Sequence, residues 1–211
     1  MEKNIAILMA DLSGYTALTE THGSAAAADL IDKYMGIAAN CLVGDSRVHE
    51  RVGDEIIIIS STPDFLLATA LLIGKNTSNE ENFLMVHGGL HYGKVLERGN
   101  SYFGSAINVT SRIASKANAG TYWCSEEFVN ALSDKSLFTS KGHHFFKNIK
   151  NEKEVFEICI EGRQAFYVDP ICRMLILDPQ NAIPHPTDGE QYFCSADCLE
   201  IYITEYRDSQ D

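Results

Sequence analysis

Two short apolar runs, each meeting a carboxylate, constrain this chain most. Ile5-Ala-Ile-Leu-Met-Ala10 stops at Asp11, and Arg51-Val-Gly53-Asp54-Glu55 leads into Ile56-Ile-Ile-Ile59. An unbroken apolar run of this length bounded by turn residues reads as a buried strand. Gly53-Asp54 joins Val48–Val52 to Glu55–Ser60 as a hairpin-like turn. Between the first strand and the hairpin, Leu18, Ala25, Ala28, Leu30, Ile31, Tyr34, Met35 and Ala38 carry helical spacing from Thr16 to about Leu42. Thr21-His-Gly23-Ser24 predicts a loop between two helical pieces, with Ser24 as N-cap. Further on, the spacing predicts a helix over 64–74 after Pro63, a polar loop over 76–82, and a strand over 83–96 broken by Gly88-Gly89 and Gly93. A helix over 104–117, a strand over 121–125, a helix over 126–132 and strands around Phe145 and over 155–160 follow. The order is that of an α+β, ferredoxin-like split βαβ domain.

With 211 residues the chain can hold a substantial core and one small extra module. Its net charge of -12 argues against a nucleic-acid partner, which calls for a basic face. No apolar run reaches the roughly 18–20 residues that span a bilayer, so no membrane segment is expected. The N-terminus lacks a basic stretch before its apolar one and reads as a strand rather than a signal peptide; a cytoplasmic protein is the expectation. Charge changes near Glu161-Gly-Arg163, which places a boundary between a domain over 1–162 and a module over 163–211. The module is too short to bury a core alone and needs a staple. Three of the six cysteines lie in it, and in a reducing compartment they point to a metal rather than to disulfides. Cys41, Cys124 and Cys159 read as core residues.

Asp11 at a strand end and Asp54 in the turn of neighbouring strands can reach one edge of the sheet. Two close carboxylates repel unless cations lie between them, and Mg²⁺ or Mn²⁺ with phosphate oxygens suits such a pair. Taken singly, an N-cap and a turn residue are the plainer readings. Leu12-Ser13-Gly14-Tyr15-Thr16 opens a helix whose free N–H groups suit phosphate; a helix that merely starts with Ser and Gly is the alternative. Asn108 and Arg112, four apart, share a helix face. The Arg fork suits phosphate, and Asn can hold a ribose oxygen; a solvated face is the alternative.

Ala10-Asp11-Leu-Ser-Gly14-Tyr-Thr16, Gly53-Asp54-Glu55, His87-Gly-Gly-Leu-His91-Tyr-Gly93, Tyr102-Phe-Gly104-x-x-Ile-Asn108-x-x-x-Arg112 and Ala117-Asn-Ala-Gly120 occur in one order across about 5–160. In that order they resemble the class III nucleotidyl cyclases. The resemblance implies a head-to-tail homodimer with nucleoside triphosphate sites at its interface. Each site would hold two Mg²⁺ or Mn²⁺ ions on Asp11 and Asp54. Asn108 and Arg112 of the other subunit would position the ribose and stabilise the transition-state phosphate. Where adenylyl members carry Lys, this chain has Glu50; where they carry Asp, it has Ser101. Glu50 can accept from guanine N1 and N2, and the Ser101 hydroxyl can donate to O6, so GTP is expected over ATP. Uracil presents a similar edge, and a one-residue slip would make Asn100 the contact. Tyr15 stands where Phe is usual. In Phe145-Phe-Lys147-Asn148-Ile-Lys150 the family often has Lys-Gly; Asn148 takes the Gly place, and Lys147 or Lys150 is either a phosphate contact or a solvated charge. His87 and His91 share a strand face and read as a structural pair.

Asp169-Pro-Ile-Cys172-Arg-Met174 and Phe193-Cys194-Ser-Ala-Asp-Cys198 place three thiols on a turn and at helical spacing, a donor set for Zn²⁺ or Cu⁺. The stretch resembles the YHS/TRASH metal-binding modules, with Arg173 at a usual Gly. His185 and Asp169 are candidates for a fourth ligand; core thiols or a Cys194–Cys198 redox pair are the alternative. Three functions follow: a nucleotidyl cyclase; a catalytically silent nucleotide- and metal-binding sensor; and a metal-trafficking protein using the cyclase shape as scaffold.

Overall fold

A computed structural model describes residues 1–158 and 166–207. The central strand β1 (Glu2–Leu12) is buried from Ile5 to Ala10. It feeds helix α1 (Tyr15–Asn40), the hairpin β2 (Arg47–Val52) and β3 (Glu55–Ser60), and helix α2 (Pro63–Ser78). Then come β4 (Val86–Arg98), β5 (Ser101–Phe103), α3 (Ser105–Ala114), β6 (Tyr122–Ser125), α4 (Glu126–Asn130), β7 (Phe138–His144) and β8 (Lys153–Ile158). The sheet runs β2-β3-β1-β4-β6-β8-β7, with β5 folded back on β4. The strand–helix–hairpin–helix–strand order is the α+β plan read from the sequence.

The alternation of β1 divides the core. Ala6, Leu8 and Ala10, with Ile56 and Ile58, pack under Leu18, Leu30 and Tyr34 of α1 and Leu66 and Ile73 of α2. Ile5 and Ile7, with Ile59, face the other way onto Val95, Tyr102 and Ala106 of α3. The glycines expected to interrupt the fourth strand do not: β4 is continuous. A Cβ on Gly89 would lie 2.4 Å from Ala114 N and 2.7 Å from Thr110 O, so the glycine is there to admit α3.

Three other expectations shift. The helix after Pro63 continues past Gly74 through Ser78, into the segment read as a polar loop. The segment around Phe145 is not strand: β7 ends at His144 and Phe145 is 80% exposed. The polar sequence of β7 lacks an apolar alternation because it is an edge strand. Thr21–Ser24 is not a loop but a sharp break inside α1, with Gly23 at φ 82° and ψ 168°. The 162/163 boundary and Cys159 lie outside the described residues.

The C-terminal residues form two small hairpins, β9 (Tyr167–Val168) with β10 (Leu175–Ile176) and β11 (Ile183–Pro184) with β12 (Tyr192–Phe193), then α5 (Ala196–Arg207). They dock on the chain just before β4. Leu84 bridges to Met174, Leu175 N donates to Phe83 O (2.6 Å), Asn82 N donates to Leu175 O (3.0 Å), and Leu177 N donates to a Glu81 carboxylate oxygen (2.9 Å). Met174 packs against both cores. No helix among the described residues is long and apolar enough to cross a membrane.

Candidate functional site

Asp11 sits near the end of β1, opposite His87 of β4; its neighbour Ala10 lies opposite Ile56 of β3, just after the Gly53-Asp54 turn. Gly53 takes φ 65°, which gives the hairpin its tight turn. Alternation puts Asp11 on the face of Ile5 and Ile7, beneath α3. The two acids converge. Burial first, then hydrogen bonding and charge from Asp11, pushes the Asp54 carboxyl up to about 6. Burial likewise raises Asp11, and Glu55 is raised by burial and then by Asp54. Asp11 Oδ1 is buried with no hydrogen-bond partner. Raised carboxyls and a buried, orphaned carboxylate oxygen are what a divalent, oxygen-seeking cation would relieve, so the donor set fits Mg²⁺ or Mn²⁺.

The turn Leu12-Ser13-Gly14-Tyr15-Thr16 follows directly, with Gly14 at φ 96° and no side-chain cap on α1. Its N–H groups are not all free: Ser13 N donates to Met85 O at 2.8 Å. The Ser13 hydroxyl lies 2.9 Å from His87 Nδ1. His87 therefore joins the turn after β1 to the acid pair, and burial lowers its pKa while Asp54 opposes that. The sequence reading grouped it with His91 as structural. His91 is: it is buried, 2.7 Å from Ser125 Oγ, and pushed down to about 4 by burial. Only the β1–β4 register separates the two.

Glu50 and Ser101 line one cavity of about 270 Å³, floored by Ile5, Ile7, Ile57 and Tyr102. A bulge in β2 puts Glu50 there. Val48 pairs with Ile58, on the α1–α2 side, whereas Glu50 pairs with Ile57, on the cavity side. Ser101 opens β5, while Asn100 stays in the turn behind it. On α3, Asn108 is exposed and Arg112 half-buried, and Arg112 has no ion-pair partner among the described residues. Lys147 and Lys150 are both exposed. Asn148 takes φ 66°, a left-handed conformation that Asn tolerates better than most residues, so the turn survives the loss of Gly.

The cysteines form a second cluster. Cys172 Sγ lies 3.4 Å from Cys194 Sγ, which lies 3.7 Å from Cys198 Sγ. These separations are far beyond a disulfide bond of about 2.05 Å. Hydrogen bonds from Cys172 and then Cys194 hold the Cys198 thiol well below its ordinary range. Neither proposed fourth ligand is among the donors that cluster. Asp169 is buried and accepts from Ile171 N (2.8 Å), Cys172 N (3.1 Å) and Cys194 N (2.8 Å), so it shapes the turn. His185 packs on Phe193 and Tyr202, and its Nδ1 accepts from Asp188 N. The donor present instead is His22 of α1, with Nε2 3.6 Å from both Cys194 and Cys198.

Residues 1–160 match the family described as the adenylate and guanylate cyclase catalytic domain, and the chain belongs to it. An adenylate cyclase of Glutamicibacter nicotianae is 27% identical over 134 residues, covering 63% of this chain and 33% of that protein. A pH-sensitive adenylate cyclase of Mycobacterium tuberculosis is 26% identical over 132 residues, again 63% and 33%. The chain thus spans about a third of the length of the curated relatives it matches. The fold is that of the adenylyl cyclase CyaB of P. aeruginosa (TM-score 0.65, 16% identity, 78% of this chain and 98% of that one). It is also that of the guanylyl cyclase Cya2 (TM-score 0.63, 20% identity, 75% and 92%).

Proposed function

We propose that the chain converts a nucleoside triphosphate, GTP in preference to ATP, into its 3′,5′-cyclic monophosphate and pyrophosphate, at sites shared by two copies. The observation that carries this reading is the convergence of Asp11 and Asp54 with a buried, unpartnered Asp11 Oδ1. Two bound Mg²⁺ or Mn²⁺ ions would polarise the ribose 3′-hydroxyl and neutralise triphosphate charge. The 3′-oxygen attacks the α-phosphorus, the bond to pyrophosphate breaks, and the 3′-hydroxyl proton passes to water. Asp11 and Asp54 would hold those ions. The uncapped start of α1, over Gly14 to Thr16, and His87 face the phosphates. Arg112 of a second copy meets the charge that develops on the phosphorus, and its Asn108 orients the ribose. Glu50 and Ser101 read the base across the cavity they share. Val52 and Phe103, 58% and 51% exposed beside the acid turn and the cavity, give the second copy apolar surface to cover. Residues 163–211 are read as a metal-binding module of the YHS/TRASH kind, supported by the clustering of Cys172, Cys194 and Cys198.

The test is product formation by the purified chain from GTP, ATP, UTP and CTP with Mn²⁺ or Mg²⁺, against Asp54→Ala. Cyclic GMP lost in the variant supports the reaction and the guanine assignment together. Cyclic AMP or cyclic UMP as main product keeps the reaction and removes the guanine assignment. No product from any of the four moves the reading to a nucleotide-binding sensor.

A further inference from the structure

We propose that His22, Cys172, Cys194 and Cys198 form one closed tetrahedral Zn²⁺ site that bridges the C-terminal module and the catalytic unit, and that the ion clamps the module onto the turn between β1 and α1. The spacing is the first ground. Ligands at about 2.3 Å (sulfur) and about 2.0–2.1 Å (nitrogen) around a tetrahedral ion stand roughly 3.8 Å apart for two sulfurs and roughly 3.5 Å apart for sulfur and nitrogen. The sulfur pairs lie at 3.4 and 3.7 Å and the sulfur–nitrogen pairs at 3.6 Å, with all four donor atoms within 4.8 Å of one another. Thiols packed merely as small apolar groups would not bring an imidazole nitrogen to two of them.

The second ground is how the donors are held. Asp169 orders the Cys172 and Cys194 backbones through their N–H groups. Cys198 lies in the first turn of α5, where Ser195 Oγ accepts its N–H. His22 is the last residue before α1 breaks at Gly23, so the break aims one ring of the catalytic unit at the module. Three sulfurs and one imidazole favour Zn²⁺ over the oxygen-seeking ions, and four protein donors leave no open position, as in structural sites.

The third ground is where the clamp lies. Next to Cys172, Arg173 takes φ 69° and packs against Gly14: a Cβ built on Gly14 would lie 2.5 Å from Arg173 Cβ and 3.7 Å from Cys172 O. The metal turn therefore rests on the loop between Asp11 and α1, and the ion ties that loop to His22. That the loop holds phosphates rests on the cyclase reading; the metal site and the clamp do not.

The full chain, reconstituted with Zn²⁺ and freed of excess, is expected to keep one ion per chain by elemental analysis. Co²⁺ in its place is expected to give tetrahedral d–d bands and thiolate charge transfer. His22→Ala should weaken Zn²⁺ binding on the order of 10-fold or more and alter the Co²⁺ spectrum, and His22→Cys should restore tight binding with stronger thiolate charge transfer. Removing zinc should raise amide exchange at Asn82 and Leu175, whose N–H groups join the two units. Failure to retain Zn²⁺, or a His22→Ala protein with unchanged affinity and spectrum, overturns the site. Retention of Cu⁺ in its place overturns the ion, and unchanged exchange overturns the clamp. None of these readouts depends on turnover.

Discussion

At the scale of single residues, the site depends on carboxyl groups held where they resist ionisation. Asp54, at about 6, keeps its proton in the folded chain well above the ordinary value of 3.8. Between those values the folded state binds more protons than the unfolded state, so this group's contribution to stability is present at low pH and is lost as pH rises through about 6. Without divalent cations, the stability of the wild type relative to Asp54→Asn is expected to fall over that window in urea melts at stepped pH. Added Mn²⁺ should flatten the fall; a difference independent of pH would mean the Asp54 carboxyl is not raised in the folded chain. Gly14 is a second residue-scale control. Its φ of 96° and the 2.5 Å approach of Arg173 Cβ make any side chain strained there. Gly14→Ala is expected to destabilise the chain by about 2 kcal/mol or more, read by denaturant midpoint. Arg173 and Asn148 show why residue identity alone misleads: both take left-handed backbone at places where the resembled families carry Gly. The turns persist although the glycines are gone.

At the scale of elements, one extra residue in β2 decides which side chains line the cavity. Strict alternation from Val48 would point Glu50 toward α1 and α2; the bulge between Val48 and Glu50 turns it to the cavity with Ser101. Glu50→Lys with Ser101→Asp is expected to move preference from GTP toward ATP by on the order of 10- to 100-fold in kcat/KM, while the melting temperature changes little. An unchanged ratio would remove both residues from base reading. The bulge has no local signature in Arg47-Val-His-Glu-Arg-Val, whereas the acid turn that ends the strand is plain in Gly53-Asp54.

At the scale of the whole molecule, the cyclase reading needs two copies. Asp54→Ala and Arg112→Ala should each lose activity by on the order of 100-fold or more. Mixed in equal amounts, half the dimers are heterodimers with one intact site of two, so about a quarter of wild-type turnover should return. No recovery on mixing, in chains shown to exchange subunits, would mean each site is built within one chain. Much of this architecture is legible in the linear chain, because its signals are local. The buried run into Asp11, the Gly53-Asp54 turn, the helical spacing of Asn108 and Arg112, and the cysteine-bearing turn each need only a few neighbouring residues. What tertiary structure alone decided comes from register and docking between distant segments. His87 reaches Ser13 because β4 pairs with β1; Gly89 sits within an unbroken β4 because α3 lies on it. His22 replaces His185 and Asp169 beside the thiols because a module more than a hundred residues downstream lands on the break in α1. Spacing along a chain reports which residues share a strand or a helix face. Only packing, which joins segments with no sequence relation to one another, reports which of those faces meet.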